Sequence, residues 1–478
     1  MRKGLNLSEF IENVDRLGEL RHVRGADWNL EIGAVTDLNA KRHGPALLFD
    51  EIKGYPKGYR VLTSLISSPK RLSLALGLNI TGDHHRLVSE LETKPTLWEE
   101  KSKEFPPRFV TDSPLLRNRD TAEKIDLLKF PAPVWHEADG GRYIGSGATV
   151  ITKDPDRGTV NLGVYRIMVH SKDALGLFMV DWHHGALDIK KYHDRGKPCP
   201  IAVSFGHDPV LFVVSGMPIP YEISEYNYAG AIRGKPIDVI EGKETGLPIP
   251  ATGEIVAEGF IYPNDLMEEG PFGEFTGYYA EERAPRPVIR VKSVYYKDNP
   301  IILATPPGRP PHDYSYHMAV MASAALKTDL EKSGVPGVVK VWRHESGCRY
   351  FWIVVSIHQM YAGHVKQTGL VAASQRGFGR YVIIVDDDID PSNLDEVIWA
   401  MSTRSDPVES AEIVKQTPSS SMDPRIRKHE GAYYTSRMII DACRPFEWMK
   451  EYSRVVEVSD ELKTRVKSKW PELFGNKS

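Results

Sequence analysis

Phe10, Ile11, Val14 and Leu17 recur at the spacing of one helical face. Asn6 and Glu9 form a capping-box pair at the start of that run, and Gly18 follows it as a stop signal. Alternating sheet and helix segments, Tyr59 to Ile66 among them, continue to about residue 110. Glu104 to Ser113, with Pro106-Pro107, reads as a connector. Between about 125 and 305 the period shortens to that of strands. Ala148 to Thr152 and Val160 to Val169 flank Asp154-Pro155-Asp156-Arg157-Gly158 and predict a hairpin. Ile201 to Phe205 and Val210 to Val214 are short apolar runs predicted as two buried strands. Val288 to Tyr296 alternates, and a turn at 297–300 leads to Ile301-Ile302-Leu303. So many strands with turns between them suggest a barrel or split barrel.

Past Pro310-Pro311 helical stretches near 316–333, 363–376 and 393–403 alternate with strands at Val338 to Trp342, Tyr350 to Ile357 and Tyr381 to Val385. This is a third, α/β unit, followed by a charged, amphipathic helix from Asp460 to Lys469. The fold class expected is therefore a mixed α+β and α/β multidomain chain. It has an N-terminal α/β region at 1–110, a split β-barrel at 111–310 and a C-terminal α/β domain at 311–478.

Composition narrows the partners. A net charge of −3 gives no basic surplus for a nucleic-acid backbone. Cys199, Cys348 and Cys443 form no C-x-x-C pair, which argues against a disulfide scaffold or cysteine zinc site and points to the cytoplasm. The first residues lack a signal-peptide core, and no run of about 18 apolar residues predicts a membrane span. No G-x-G-x-x-G after a strand, P-loop, H-E-x-x-H or G-x-S-x-G occurs. The run Asp386-Asp387-Asp388-Ile389-Asp390 lacks the glycine and closing glutamate of a calcium loop. It reads as an acidic strand end, with Asp390 or Ser392 capping the next helix.

Three segments could carry chemistry. In Asn161-Leu162-Gly163-Val164-Tyr165-Arg166, glycine lets backbone approach a ligand and the arginine can face an anion. A surface arginine in a hairpin is the more ordinary reading of that segment alone. Asn161 and Arg166 differ by five positions, so an unbroken strand would point them to opposite faces. Both serve one site only if Gly163 permits a bulge or a ligand wraps the strand end. His183 or His184, with Asn161 and Glu225, offers a mixed nitrogen and oxygen set for Mn2+ or a similar ion. Adjacent surface histidines are the plainer alternative. Glu269 and Glu274 bracket a Gly-Pro-Phe-Gly loop. Two carboxylates in unequal surroundings can divide into an ionised one and a proton carrier.

These segments, with Ser224-Glu225-Tyr226-Asn227-Tyr228-Ala229-Gly230-Ala231-Ile232-Arg233-Gly234 between them, closely resemble the UbiD family of reversible decarboxylases. The likeness runs from the first helix to Asp390-Pro391. It implies a central split-barrel domain for prenylated FMN and metal, and a C-terminal domain used in oligomerisation. The implied cofactors are prenylated FMN, Mn2+ (or Mg2+) bridged to its phosphate, and K+. Asn161, His183 and Glu225 match the metal ligands, with His184 as the fallback. Asn161, Leu162, Gly163, Val164, Tyr165, Arg166, Trp182, His183 and Glu225 would contact the cofactor. Arg437 stands where relatives carry a phosphate-binding lysine. Arg166, Glu269 and Glu274 match a Glu-Arg-Glu catalytic set, with Glu274 as proton donor.

The implied reaction is non-oxidative decarboxylation of an aromatic or heteroaromatic, α,β-unsaturated acid, free or as a thioester. The implied partners are that acid, CO2, a flavin prenyltransferase as cofactor supplier, and further copies of the chain as a dimer or hexamer. Pro306 to Tyr316, with Arg309, His312 and Tyr314, would either line the substrate side or serve as a stiff linker. Two other classes are consistent with the segments: a flavin-binding protein without decarboxylase activity, and a metal-dependent hydrolase using Asn161, His183 and Glu225.

Overall fold

The computed structural model describes residues 6–375, 379–426 and 433–474. The first helix, Leu7–Arg16, forms where its pattern places it. The Asn6 side chain accepts the Glu9 N–H, and Leu7, Phe10, Ile11 and Val14 are buried. Gly18, at φ +72°, ends it in a left-handed conformation. A four-stranded sheet follows in the order Leu20–Arg24, Ala46–Asp50, Arg60–Thr63 and Ile301–Leu303. The last strand arrives from the far end of the barrel segment and runs parallel to Arg60–Thr63. The sequence pattern placed it with the barrel. Local periodicity carries no information about which sheet a strand joins.

The central sheet has eight strands. Its path runs Val160–Gly163, Thr149–Lys153, Cys199–Ser204, Ile255–Glu269, Ala284–Tyr296, Ala174–Phe178 and Arg166–Val169, with Asn118–Thr121 added to Ala284–Tyr296. The first and last strands of that path are neighbours in the chain, separated only by Val164 and Tyr165. Three peptide steps span at most about 11 Å. The two edges must therefore meet, and the sheet closes into a barrel that is split at residues 164–165.

The predicted hairpin is present, with Thr149–Lys153 antiparallel to Val160–Gly163. The expected strand from Val210 to Val214 is instead the helix Pro209–Ser215. Asp208 caps it by accepting the Val210 N–H, and Pro209 occupies its first turn. A short, fully buried apolar run reads alike as strand or helix, and the Asp-Pro start decides for helix.

The C-terminal sheet has five strands in the order Val338–Arg343, Trp352–Ile357, Tyr381–Asp386, Tyr434–Ala442 and Ala411–Pro418. The helices Ser315–Lys332, His364–Ser374 and Leu394–Arg404 fall where they were expected. The last of these is capped by Asn393, which accepts the Asp395 N–H, rather than by Asp390 or Ser392. Asp390 instead accepts from the Ser392 hydroxyl and bonds to His85, tying the N-terminal region to this domain. Asp386 and Asp388 are both held by Arg404. The helix Asp460–Lys469 buries no residue against this chain.

The helix Glu225–Arg233 carries a candidate site residue at its first position and is anchored at its last. Arg233 donates to Asp208 and to the Ala75 carbonyl, and both charged groups are buried. Arg233→Ala strands the Asp208 charge in the interior, which costs about 3–5 kcal/mol. Chemical denaturation should show that loss, and a midpoint within error of the parent would refute the anchoring role.

Candidate active site

Arg166 opens the strand Arg166–Val169, and Glu269 closes the strand Ile255–Glu269. Both sit at strand ends because the chain must leave the sheet there. Arg166 presents a fork to Glu269, with Nε 2.9 Å from Oε1 and Nη2 2.8 Å from Oε2. Its third donor, Nη1, lies 2.7 Å from Oε1 of Glu274. The loop joining the two glutamates starts at Gly270, whose φ of +90° favours glycine. Gly140 packs on that loop so closely that a Cβ there would come within 1.9 Å of the Gly270 oxygen. The Gly140 N–H donates to the Pro271 carbonyl. This contact brings Tyr143 into place: its ring lies 4.1 Å from Phe272 and its hydroxyl donates to Glu269 at 2.9 Å. Phe178 covers the guanidinium, with Arg166 Cζ 4.0 Å from the ring centre.

One arginine thus serves two carboxylates, and it serves them unequally. Glu269 is fully buried and receives three donors, whereas Glu274 receives one and keeps 12% of its side chain exposed. Burial pushes Glu274 from an ordinary value of 4.5 up to about 7. Arg166 opposes the shift, while Glu281 and Glu269 add to it. Near neutral pH Glu274 is therefore poised between acid and base.

The predicted metal ligands surround Tyr165. Glu225 Oε2 accepts the Leu162 N–H at 2.7 Å, which brings it beside Asn161. Asn161 donates its amide to Thr152. The His183 ring lies 5.5 Å from the Tyr165 ring, and its Nδ1 is buried without a hydrogen-bond partner. Glu225 is pushed up to about 8 by burial, with only backbone N–H groups lowering it and Asp188 raising it further. A buried carboxylate with no cation acting on it, an orphaned imidazole nitrogen and an amide side chain fit a divalent ion. His184 turns elsewhere, its ring 4.9 Å from Tyr221. Behind the set, Asp188 accepts from Thr152 at 2.7 Å and from Tyr221 at 2.8 Å.

The strand break settles how Asn161 and Arg166 share a region. Pairing stops at Gly163 and resumes at Arg166, so there is no bulge in a continuous strand. Tyr165 folds back over Gly163 so tightly that a Cβ there would lie 2.4 Å from its ring. The Val164 N–H donates to the Ser215 carbonyl. Trp182, at 58% exposed, borders His183 on the outside. Arg437 is buried in the C-terminal strand Tyr434–Ala442, where it acts on Arg343. His312 and Tyr314 lie stacked at 6.3 Å, whereas Arg309 is exposed. Sequence reasoning missed Tyr143, Asp188 and Tyr221. Each contributes one hydroxyl or carboxylate from a distant segment, with no local spacing to flag it.

Three family models match in chain order. The N-terminal, Rift-related central and C-terminal domains of 3-octaprenyl-4-hydroxybenzoate carboxy-lyase cover residues 11–91, 108–310 and 315–442. The chain belongs to the UbiD family of carboxy-lyases. Among solved structures, the UbiD-class enzyme HmfF from Pelotomaculum thermopropionicum, in complex with FMN, matches with a TM-score of 0.86. The two are 27% identical over 96% of this chain and 98% of that one. An evolved dimeric form of HmfF in complex with prFMN is also 27% identical, over 95% of this chain and 97% of that one, with a TM-score of 0.79. Vanillic acid decarboxylase from Sedimentibacter hydroxybenzoicus, in open form, is 29% identical over 99% and 100%, with a TM-score of 0.85. The UbiD fold accounts for the three-part architecture and for the split barrel that holds the paired glutamates.

The Glu274 carboxyl should titrate near pH 7 in a difference-infrared experiment against Glu274→Gln. Glu269→Gln removes a like charge and frees Arg166 for Glu274, so the midpoint should move down. An unchanged or higher midpoint would show that Glu269 and Arg166 do not govern it.

Proposed function

We propose that this UbiD-family enzyme is a prenylated-FMN-dependent decarboxylase of aromatic acids, with Arg166, Glu269 and Glu274 as its acid–base set. The observation that carries the reading is the unequal sharing of Arg166 between the two glutamates. A flavin-storage protein has no use for a largely buried acid poised near neutrality. The flavin-bound UbiD-class relatives, and the relative that acts on vanillic acid, support the cofactor and the substrate class.

Prenylated FMN, when bound, supplies the electron sink for the carbon that loses CO2. Asn161, His183 and Glu225 would hold Mn2+ or Mg2+, whose charge would help bind the anionic cofactor. The backbone of 161–166 would line the cofactor, with Trp182 at its rim and Arg437 as a further phosphate partner. Orientation of His183 toward Tyr165, and of His184 toward Tyr221, favours His183 as the ligand. Arg166 orients the substrate carboxylate and Glu274 together. Once CO2 has left, Glu274 gives its proton to the carbon, and Arg166 stabilises the carboxylate that remains. Glu269 holds the Arg166 fork in place, and Tyr143 holds Glu269.

The donor form of Glu274 is the protonated one, and its raised value keeps it protonated up to about pH 7. Protonation of the product carbon should therefore be full below that pH and decline above it. Glu274→Gln should abolish net turnover while flavin stays bound. A rate flat from pH 5 to 9, or near-normal turnover in that variant, would remove Glu274 from the role.

Protein co-expressed with a flavin prenyltransferase should carry prenylated FMN and one Mn per chain by mass spectrometry and absorbance. Glu225→Ala should lose the metal and most of the flavin. Folded, metal-loaded protein without flavin would turn the reading to a hydrolase, and a fully loaded Glu225→Ala would refute the ligand set.

A further inference from the structure

Arg349 is a buried guanidinium that the acid–base set does not use. It is 6% exposed, and its Nε and Nη1 are buried without a hydrogen-bond partner. Aromatic rings box it: Tyr314 and Tyr350 at 4.6 Å and Phe275 at 5.1 Å from Cζ. Rings satisfy the flat faces of a guanidinium but not its in-plane N–H groups. Groups of that kind are seldom left bare in an interior, and each exception calls for an explanation.

The backbone beneath Arg349 is strained. Cys348 and Arg349 take φ values of +56° and +57°, two successive non-glycine residues in the left-handed region. Bonds from their N–H groups to the Glu345 and His344 carbonyls, 2.8 and 2.9 Å, hold them there. The strain delivers the side chain to one place.

That place neighbours residues that lead to both parts of the candidate site. Phe275 directly follows Glu274. On the other side, the Tyr314 hydroxyl would lie 3.6 Å from a Cβ built on Gly216, and the adjoining Ser215 carbonyl takes the Val164 N–H. Arg349 is therefore linked by contacts to the proton donor through Phe275, and to the strand break at Val164 through Tyr314, Gly216 and Ser215. Positive charge accumulates there: Arg349 and Arg437 both act against the charge on Arg343, and Arg349 favours the neutral forms of His312 and His317. No carboxylate pairs with Arg349 among the described residues.

We propose that Arg349 determines specificity by donating its open N–H groups to a second carboxylate on the aromatic acid, distal to the one that is lost. The three rings around it offer faces for the arene between the two carboxylates. This rests on the decarboxylase reading above, and it adds the substrate subclass: aromatic dicarboxylic acids rather than simple or hydroxylated benzoates.

The test compares matched pairs on the flavin-loaded enzyme. Benzene-1,4-dicarboxylate is set against 4-methylbenzoate, and naphthalene-2,6-dicarboxylate against its 6-methyl monoacid. Calorimetry reads binding, and CO2 release or H/D exchange reads turnover. The diacid of each pair should bind wild-type enzyme roughly 10- to 100-fold more tightly, the range of a charge-assisted hydrogen bond to a buried group. Arg349→Met should erase most of that ratio, and Arg349→Lys should restore part of it. A structural defect would lower both members of a pair together and leave the ratio unchanged, which would overturn the proposal. Equal binding of diacid and monoacid to wild type would overturn it without any variant. The two readings separate cleanly. An enzyme active on monoacids with no diacid preference loses this inference and keeps the decarboxylase reading. Diacid-selective binding that depends on Arg349, in flavin-loaded protein that turns over no acid, keeps this inference and sinks that reading.

Discussion

The pairing of Arg166 with two glutamates constrains everything around it. A single guanidinium cannot fully compensate two buried carboxylates, so one of them must be poorly paid in donors. The fold decides which. Glu269, the last residue of a long strand, receives the Arg166 fork and the Tyr143 hydroxyl. Glu274 sits beyond a glycine-rich loop and keeps a single charged donor. The asymmetry is a matter of position along the chain: the strand end is held by the sheet and the loop is not. An acid poised near neutrality follows from that geometry.

Arg166 is in turn placed by the way the barrel closes. The hydrogen-bonded order begins at Val160–Gly163 and ends at Arg166–Val169, and the chain crosses that gap in two residues. This seam breaks the alternation of a continuous strand, so Asn161 and Arg166 need not face opposite ways. It also frees backbone N–H groups from the ladder. Leu162 uses its N–H to hold Glu225, and Val164 uses its own to hold Ser215. The metal-type cluster and the acid–base set are therefore two sides of one discontinuity. Gly163 is the residue that permits it, since any side chain there would strike the Tyr165 ring.

Much of this was legible from the chain. The first helix follows from periodicity and its capping residue, because its burial is one-sided and leaves a readable pattern. Three strands of the C-terminal sheet were legible as short apolar runs between turns, whereas Ala411–Pro418 and Tyr434–Ala442, half-polar strands, were not. The run Val210 to Val214 misled because every residue in it is buried, and uniform burial erases the period that tells helix from strand. The strand Ile301–Leu303 was read correctly as a strand, but its partner lies some 240 positions away at Arg60–Thr63, and no local signal reports such a pairing. The site divides the same way. Arg166, Glu269 and Glu274 were found because they lie in short, chemically odd segments that resemble a known family. Tyr143 and Arg349 lie in unremarkable ones.

The last two cases show what the structure adds to a motif. A motif names groups that must be chemically reactive, and those recur in one local context. A residue that orients them, or that measures the far end of a substrate, needs only to reach the right point in space, and many segments could supply it. The signature of such residues is therefore physical: a hydroxyl bonded to a buried carboxylate, or a buried guanidinium with donors left over. Tyr143 satisfies Glu269 and so completes the pairing with which the site begins. Arg349 is satisfied by nothing of that kind, although it is buried as deeply as Arg166 and boxed as closely. In a chain that pairs Arg166, Arg233 and Arg404 with carboxylates, a buried arginine held on strained backbone and left with open donors is better explained by a group that arrives with the substrate than by packing alone.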